Sequence, residues 1–139
     1  MAPKNISPPE RGESDTIAEF GRSRPLPKPL VWIGGSKDDI SALPVPVKAS
    51  LGHRLRQLQE GKTPLDTKPL PQFGAGVFEL RERFERNAYR LMYVVNLKKA
   101  IYVLHAFMKR SKSGIGLPKP DAELIHVRLQ RARELDAED

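Results

Sequence analysis

The sequence predicts an α+β domain built on a small, twisted, mostly antiparallel sheet, with an N-terminal helical hairpin before the main strands and one helix after them. Three observations carry this expectation. A β-branched and aromatic run, Leu30-Val-Trp-Ile33, opens the apolar part of the chain. Helical periodicity follows as far as Glu60. Beyond Gly76 the pattern turns extended, and it returns to helical near the C-terminus.

Residues 1–28 read as a disordered tail. Prolines at 3, 8, 9, 25 and 27 stand among charges, Ser and Gly, with too little apolar surface to offset the entropy of ordering. The folded domain is expected over residues 29–136. Its first strand closes at Gly34-Gly35. Ser36 is placed to cap a helix whose positive end suits Asp38 and Asp39. Pro44 and Pro46 break that helix. A second runs from Val47 to Glu60, where Val47, Leu51, Leu55 and Leu58 form one stripe and Gly61 is the stop. Lys48, Arg54 and Arg56 read as lying off the stripe.

Residues 63–76, rich in Pro and Gly, read as a loop. Three consecutive antiparallel strands are then expected over 77–81, 88–96 and 100–108, with turns near 83–87 and 96–99. In the third, Ile101, Val103, His105 and Phe107 alternate with Tyr102, Leu104, Ala106 and Met108. The last helix spans about 120–135, with Leu124, Ile125, Val127 and Leu129 inward. The first strand is expected beside a later one, with the helices on one face of the sheet.

Several chemistries are excluded at once. The 139 residues hold no cysteine, so disulfides, thiolate nucleophiles and Cys-ligated zinc are impossible. His53, His105 and His126 have no metal-ligand spacing, and no phosphate-cradling glycine loop is present. No apolar run is long enough to span a bilayer, which makes a cytoplasmic location and no membrane association the expectation. The net charge of +7 and a pI near 9.9 favour a polyanionic partner.

The cations concentrate on the extended segments. Nine Lys and Arg lie between Glu79 and Lys112, against the three acids Glu79, Glu82 and Glu85. Residues two apart share a sheet face, so Arg81, Arg90 and Lys109 are able to meet on one concave surface. Such a group suits a phosphodiester and the charge that builds on phosphorus during displacement. RNA supplies its own nucleophile, the 2′-hydroxyl, so the site needs no metal or other cofactor, only positioning and proton transfer. His105, Tyr89 and Tyr102 are candidates for the last role. Each feature has a plainer reading as well: an ion pair of Arg90 with Glu79, a His105 hydrogen-bonded inside the sheet, and a solvated hairpin tip at 82–86.

The same residues resemble a known family. Lys28-Pro-Leu-Val-Trp-Ile-Gly34, Lys68-Pro-Leu-Pro-Gln-Phe-Gly74, Phe78-Glu-Leu-Arg81, Tyr89-Arg90 and Tyr102-Val-Leu-His-Ala-Phe-Met-Lys-Arg-Ser111 are similar to the phage-derived branch of HigB-type toxins in the RelE/ParE superfamily. Pro118 and Asp121-Ala-Glu-Leu-Ile125 continue the similarity, which covers about Lys28 to Arg133. The resemblance implies a RelE-like fold and a toxin of a type II toxin–antitoxin system that cuts messenger RNA on the ribosome. Its partners would be the ribosome, mRNA and a helix-turn-helix, HigA-like antitoxin. Carried over by position, Arg81, Arg90 and the cluster Lys109, Arg110 and Lys112 match basic positions of the family. Arg81, Arg90 and Lys109, with His105 of the His-Ala-Phe motif, are the catalytic candidates, and Arg110, Lys112 and Lys68 the RNA-binding ones. No tyrosine follows Tyr102, so the C-terminal tyrosine of RelE has no counterpart here. Two other functions fit the same features: a ParE-like gyrase inhibitor, and a non-catalytic RNA- or ribosome-binding module.

Overall fold

In the computed structural model, which describes residues 27–109 and 117–138, five strands form one mixed sheet in the order β1-β5-β4-β3-β2. They are β1 (Leu30–Trp32), β2 (Thr67–Pro69), β3 (Val77–Phe84), β4 (Asn87–Val94) and β5 (Ile101–Lys109). Three helices accompany them: α1 (Ser36–Ser41), α2 (Val45–Gln59) and α3 (Lys119–Ala137). The β3-β4-β5 meander is antiparallel, as the alternation predicts, and β1 pairs with β5 in parallel. Residues 1–26, and with them most of the expected tail, lie outside the described residues. Lys28 already belongs to the fold: its ammonium donates to the Val95 and Leu97 carbonyls at 2.9 and 2.6 Å.

The helices cover both faces of the sheet, not one. Met92, Val94, Tyr102 and Leu104 pack with Ile125, Leu129 and Ala132 of α3. Leu80, Leu91, Tyr93, Ile101 and Val103 pack with Ile40 of α1 and the stripe Val47, Leu51, Leu55 and Leu58 of α2. The central strands β4 and β5 are apolar at nearly every position, so neither side of them tolerates water. Nor do α1 and α2 form a packed hairpin. α1 is only six residues long and packs on β5, whereas α2 packs on β3.

Three local expectations change as well. The 63–76 segment contains β2, paired with β3, and a 3-10 turn at Pro71–Phe73; Pro69 is tolerated because β2 is an edge strand. Ser36 does not cap α1, whose N-cap is Gly35, and its hydroxyl is fully buried. Val127 is 66% exposed, because the buried face of α3 follows 125-129-132 and position 127 points away from it.

The third strand departs from simple alternation. Met92 pairs with His105 but Tyr93 pairs with Val103, so Leu104 is an extra residue, a β-bulge. Beyond it the pleat reverses phase. His105 and Phe107 therefore join Leu104 on the α3 side, while Ala106 and Met108 turn toward α2. The Leu104 carbonyl is satisfied by the Arg128 guanidinium at 2.9 Å.

The far end of α3 is pinned by Asp136. Its carboxylate accepts from the amides of Lys98 and Lys99 and from the Tyr102 hydroxyl, at 2.9, 2.7 and 2.9 Å. Desolvation opposes its charged form, yet these donors hold the carboxyl below its usual range. No described helix is long and apolar enough to cross a membrane.

Two expected outcomes follow from this packing. Leu51→Ala and Leu129→Ala, on opposite faces, should each cost about 3 kcal/mol in urea unfolding; a sheet covered on one side would leave one of them near neutral. Tyr93 and Tyr102 are both pushed up to about 12, chiefly by burial and at Tyr102 also by Asp136. Their unfolded counterparts ionise near pH 10. The stabilisation from a raised pKa is complete below the unfolded value and is lost as pH climbs through the folded one. The urea midpoint should therefore be flat to about pH 9.5 and fall between roughly pH 10 and 12, less steeply in Tyr102→Phe.

Candidate functional site

Sheet register brings the predicted cations together. Arg81 on β3 lies directly opposite Arg90 on β4, and Arg90 opposite Phe107 on β5. One step toward the hairpin end, Arg83, Ala88 and Lys109 form the next row across the same three strands. All these positions share the face that carries α3, beyond the reach of the helix. Ala88, small and flanked by two long cationic side chains, leaves a depression. The resulting hollow, about 390 Å³, is lined by Asp66, Arg81, Glu82, Arg83, Ala88, Tyr89, Arg90 and Lys109. That volume falls in the range of small-molecule sites and suits a nucleotide-sized group.

The electrostatics favour an anion. Like charges directly across a strand pair repel. Arg90 is partly compensated: its Nε lies 3.3 Å from the carboxylate of Glu79, which is 2% exposed. The ion pair that is the plainer reading of Arg90 therefore exists, and Arg90 also lines the hollow. Among the described residues, no carboxylate lies within 4 Å of a basic nitrogen of Arg81, Arg83 or Lys109. Solvent, salt or a bound polyanion would relieve their mutual repulsion.

The remaining sequence candidates sit elsewhere. His105 is buried on the α3 side of the sheet. Its Nε2 is 2.7 Å from Asp121 Oδ1 and its Nδ1 3.2 Å from Asp39 Oδ2, and its ring stacks on Phe107. Arg128 Nη1 donates to the same Asp39 oxygen at 2.8 Å. His105 thus ties α1 and α3 to the bulge, and it does not line the hollow. Tyr102 is occupied by Asp136. Tyr89 lines the hollow, but its strand position places it with Leu91 and Tyr93 on the α2 face. Lys68 is exposed on β2 opposite Glu79, one row away. Arg110 and Lys112 lie outside the described residues.

Two residues escaped the sequence reading. Arg54 of α2 is only 9% exposed. It donates to the carbonyls of Arg81 (2.7 Å), Leu65 (2.5 Å) and Asp66 (3.3 Å), and it pairs with Glu82 at 2.9 Å. Glu82 also accepts from Ser50. Arg54 so fastens both the edge of β3 and the loop ahead of β2 to the helix. The spacing 47-51-54-58 would have placed it on the buried stripe. The second is Asp66, a wall of the hollow whose backbone has φ 57°. Sequence carries only a faint sign of it, an Asp in a Pro-bounded loop.

The fold and this hollow define a small α+β domain with a cationic sheet surface. A family model for phage-derived Gp49-like proteins matches residues 38–130, and the chain belongs to that family, a RelE-like family associated with toxin–antitoxin systems. No curated protein matches the chain closely enough to be counted a relative.

Arg54→Met should destabilise the domain by about 3 kcal/mol in denaturant titrations, since it removes the one guanidinium that Glu82 and three carbonyls share. Arg81→Ala, at an exposed strand position, should change stability by less than about 0.5 kcal/mol. Arg81 is therefore the cleaner probe of function than Arg90, whose loss leaves Glu79 buried and uncompensated.

Proposed function

We propose that the chain is the toxin of a type II toxin–antitoxin system, an endoribonuclease that cuts messenger RNA on the ribosome and is neutralised by a helix-turn-helix, HigA-like antitoxin. The observation that carries this reading is the convergence of Arg81, Arg83, Arg90 and Lys109 on one hollow. Family membership supports the toxin role. In this reading the HigB-type resemblance extends to the chemistry. A phosphodiester sits against the guanidinium groups, the 2′-hydroxyl of the preceding ribose attacks in line, and the cations stabilise the extra charge on the phosphorane-like transition state. A fixed array of donors costs little reorganisation as that charge develops. The chain carries two further positive residues, Arg110 and Lys112, shortly after Lys109.

Induced expression in growing bacteria should arrest translation within minutes and yield transcripts with discrete new 5′ ends in primer extension. Arg81→Ala should restore growth and abolish the cuts while thermal unfolding stays unchanged. Intact transcripts with a failure of supercoiling would replace this reading with gyrase inhibition. Normal growth with salt-dependent RNA binding would reduce the hollow to a binding surface.

A further inference from the structure

Resting on the ribonuclease reading, we infer that Asp66 is the group that receives the 2′-hydroxyl proton in the hollow. The hollow is lined by four cations, and none of the histidine or tyrosine candidates directs a side chain to its face. Two carboxylate residues also line it. Glu82 is committed to Arg54 and Ser50 through one oxygen, at 2.9 and 2.5 Å. Asp66 is exposed, and among the described residues no basic nitrogen lies within 4 Å of its carboxylate, although four cations share its hollow.

A carboxylate there weakens phosphate binding by repulsion, so phosphate affinity does not account for it. It can do what the cations cannot: accept a hydrogen. Its position is built rather than incidental. The Asp66 carbonyl accepts from the Arg81 amide at 3.2 Å and from Arg54 at 3.3 Å, and the preceding Leu65 carbonyl from Arg54 at 2.5 Å. The backbone is held in the left-handed region, at φ 57°, which costs a non-glycine residue energy unless its surroundings impose it. The donors that impose it tie Asp66 to Arg81, one of the hollow's own cations.

The 2′-oxygen forms a bond to phosphorus as its proton passes to the Asp66 carboxylate, and the bond from phosphorus to the 5′-oxygen breaks. Water protonates the departing oxygen, and the hydroxide so formed removes the proton from Asp66. The products are a 2′,3′-cyclic phosphate and a 5′-hydroxyl.

The test uses the full chain with ribosomes programmed with a short mRNA, under single-turnover conditions across pH 4 to 9. Asp66→Asn should lower the cleavage rate by about 10²-fold, the ordinary contribution of a general base. It should also remove the rising acid limb of the pH profile while leaving the melting temperature unchanged and the affinity for a short single-stranded RNA no weaker than that of the wild type. An unaltered pH profile in Asp66→Asn, with wild-type cleavage intact, overturns the inference and leaves the ribonuclease reading standing. An equal rate loss with the acid limb retained assigns Asp66 to structure and also overturns it. Wild type that binds the RNA oligonucleotide but cuts nothing overturns the ribonuclease reading itself, and this inference with it.

Discussion

The geometry of the hollow depends on one extra residue in β5. Strand alternation is strict, and an unbroken β5 would send Lys109 to the same face as Ile101 and Val103, under α2 and away from Arg81 and Arg90. The bulge at Leu104 inverts the phase, so that Lys109 comes up beside Ala88 and faces the other cations. The cost of the bulge is one unpaired stretch of backbone, and Arg128 meets it by donating to the Leu104 carbonyl. Asp39 and Asp121 then enclose His105, the first residue after the reversal. The half-buried polar cluster of Asp39, Asp121 and Arg128 around His105 is thus a clamp on the bulge. Its contribution to the hollow is exerted through register, 4 residues before Lys109 in the chain.

The cations of this protein accordingly divide into two kinds. Arg54 and Arg128 are largely buried, and each serves several oxygens at once, carbonyls as well as a carboxylate. That is what a planar guanidinium with five donors does well, and what a lysine would do poorly. Arg81, Arg83 and Lys109 stand on an open sheet surface, with no described carboxylate within 4 Å of their basic nitrogens. Arg90 stands between the two kinds, neutralised in part from below by Glu79 while still lining the hollow. A net charge of +7 conveys none of this; the division emerges only from which oxygen each nitrogen meets.

Much of the fold is legible in the sequence because it obeys simple periods. The stripe 47-51-55-58, the three extended segments, the turn near 83–87 and the pairing of β1 with a later strand all follow from apolar spacing and turn residues. The misses share a cause. β2 is three residues long and contains a proline, so its pairing is decided by β3 alongside it rather than by its own composition. Arg54 reads as polar, hence as exposed, although its place in the 47-51-54-58 series is a buried one, made tolerable by oxygens supplied from β3 and the loop. The reversal at Leu104 leaves no trace in hydropathy, since the residues on both sides of it are apolar whichever way they point. That near-continuous run, 89–94 with 101–107, did hold information: strands apolar on both sides require cover on both sides, which places helices on each face.

The candidate site was legible to the same extent and for the same reason. Cross-strand neighbours follow from the meander, so the meeting of Arg81 with Arg90 is a consequence of hairpin register. Lys109 reaches them only through the bulge. Proton transfer is where one-dimensional reading fails most completely, because a histidine or tyrosine attracts attention by type alone. His105 has both ring nitrogens facing the carboxylates of Asp39 and Asp121, and it does not line the hollow. Tyr102 spends its hydroxyl on Asp136, and Tyr89 belongs to the opposite face. Rejecting those three on geometry turns the question from which residue type usually moves protons to which acceptor the hollow leaves uncommitted. A lone aspartate in a loop acquires significance only when its neighbours have been shown to be engaged elsewhere.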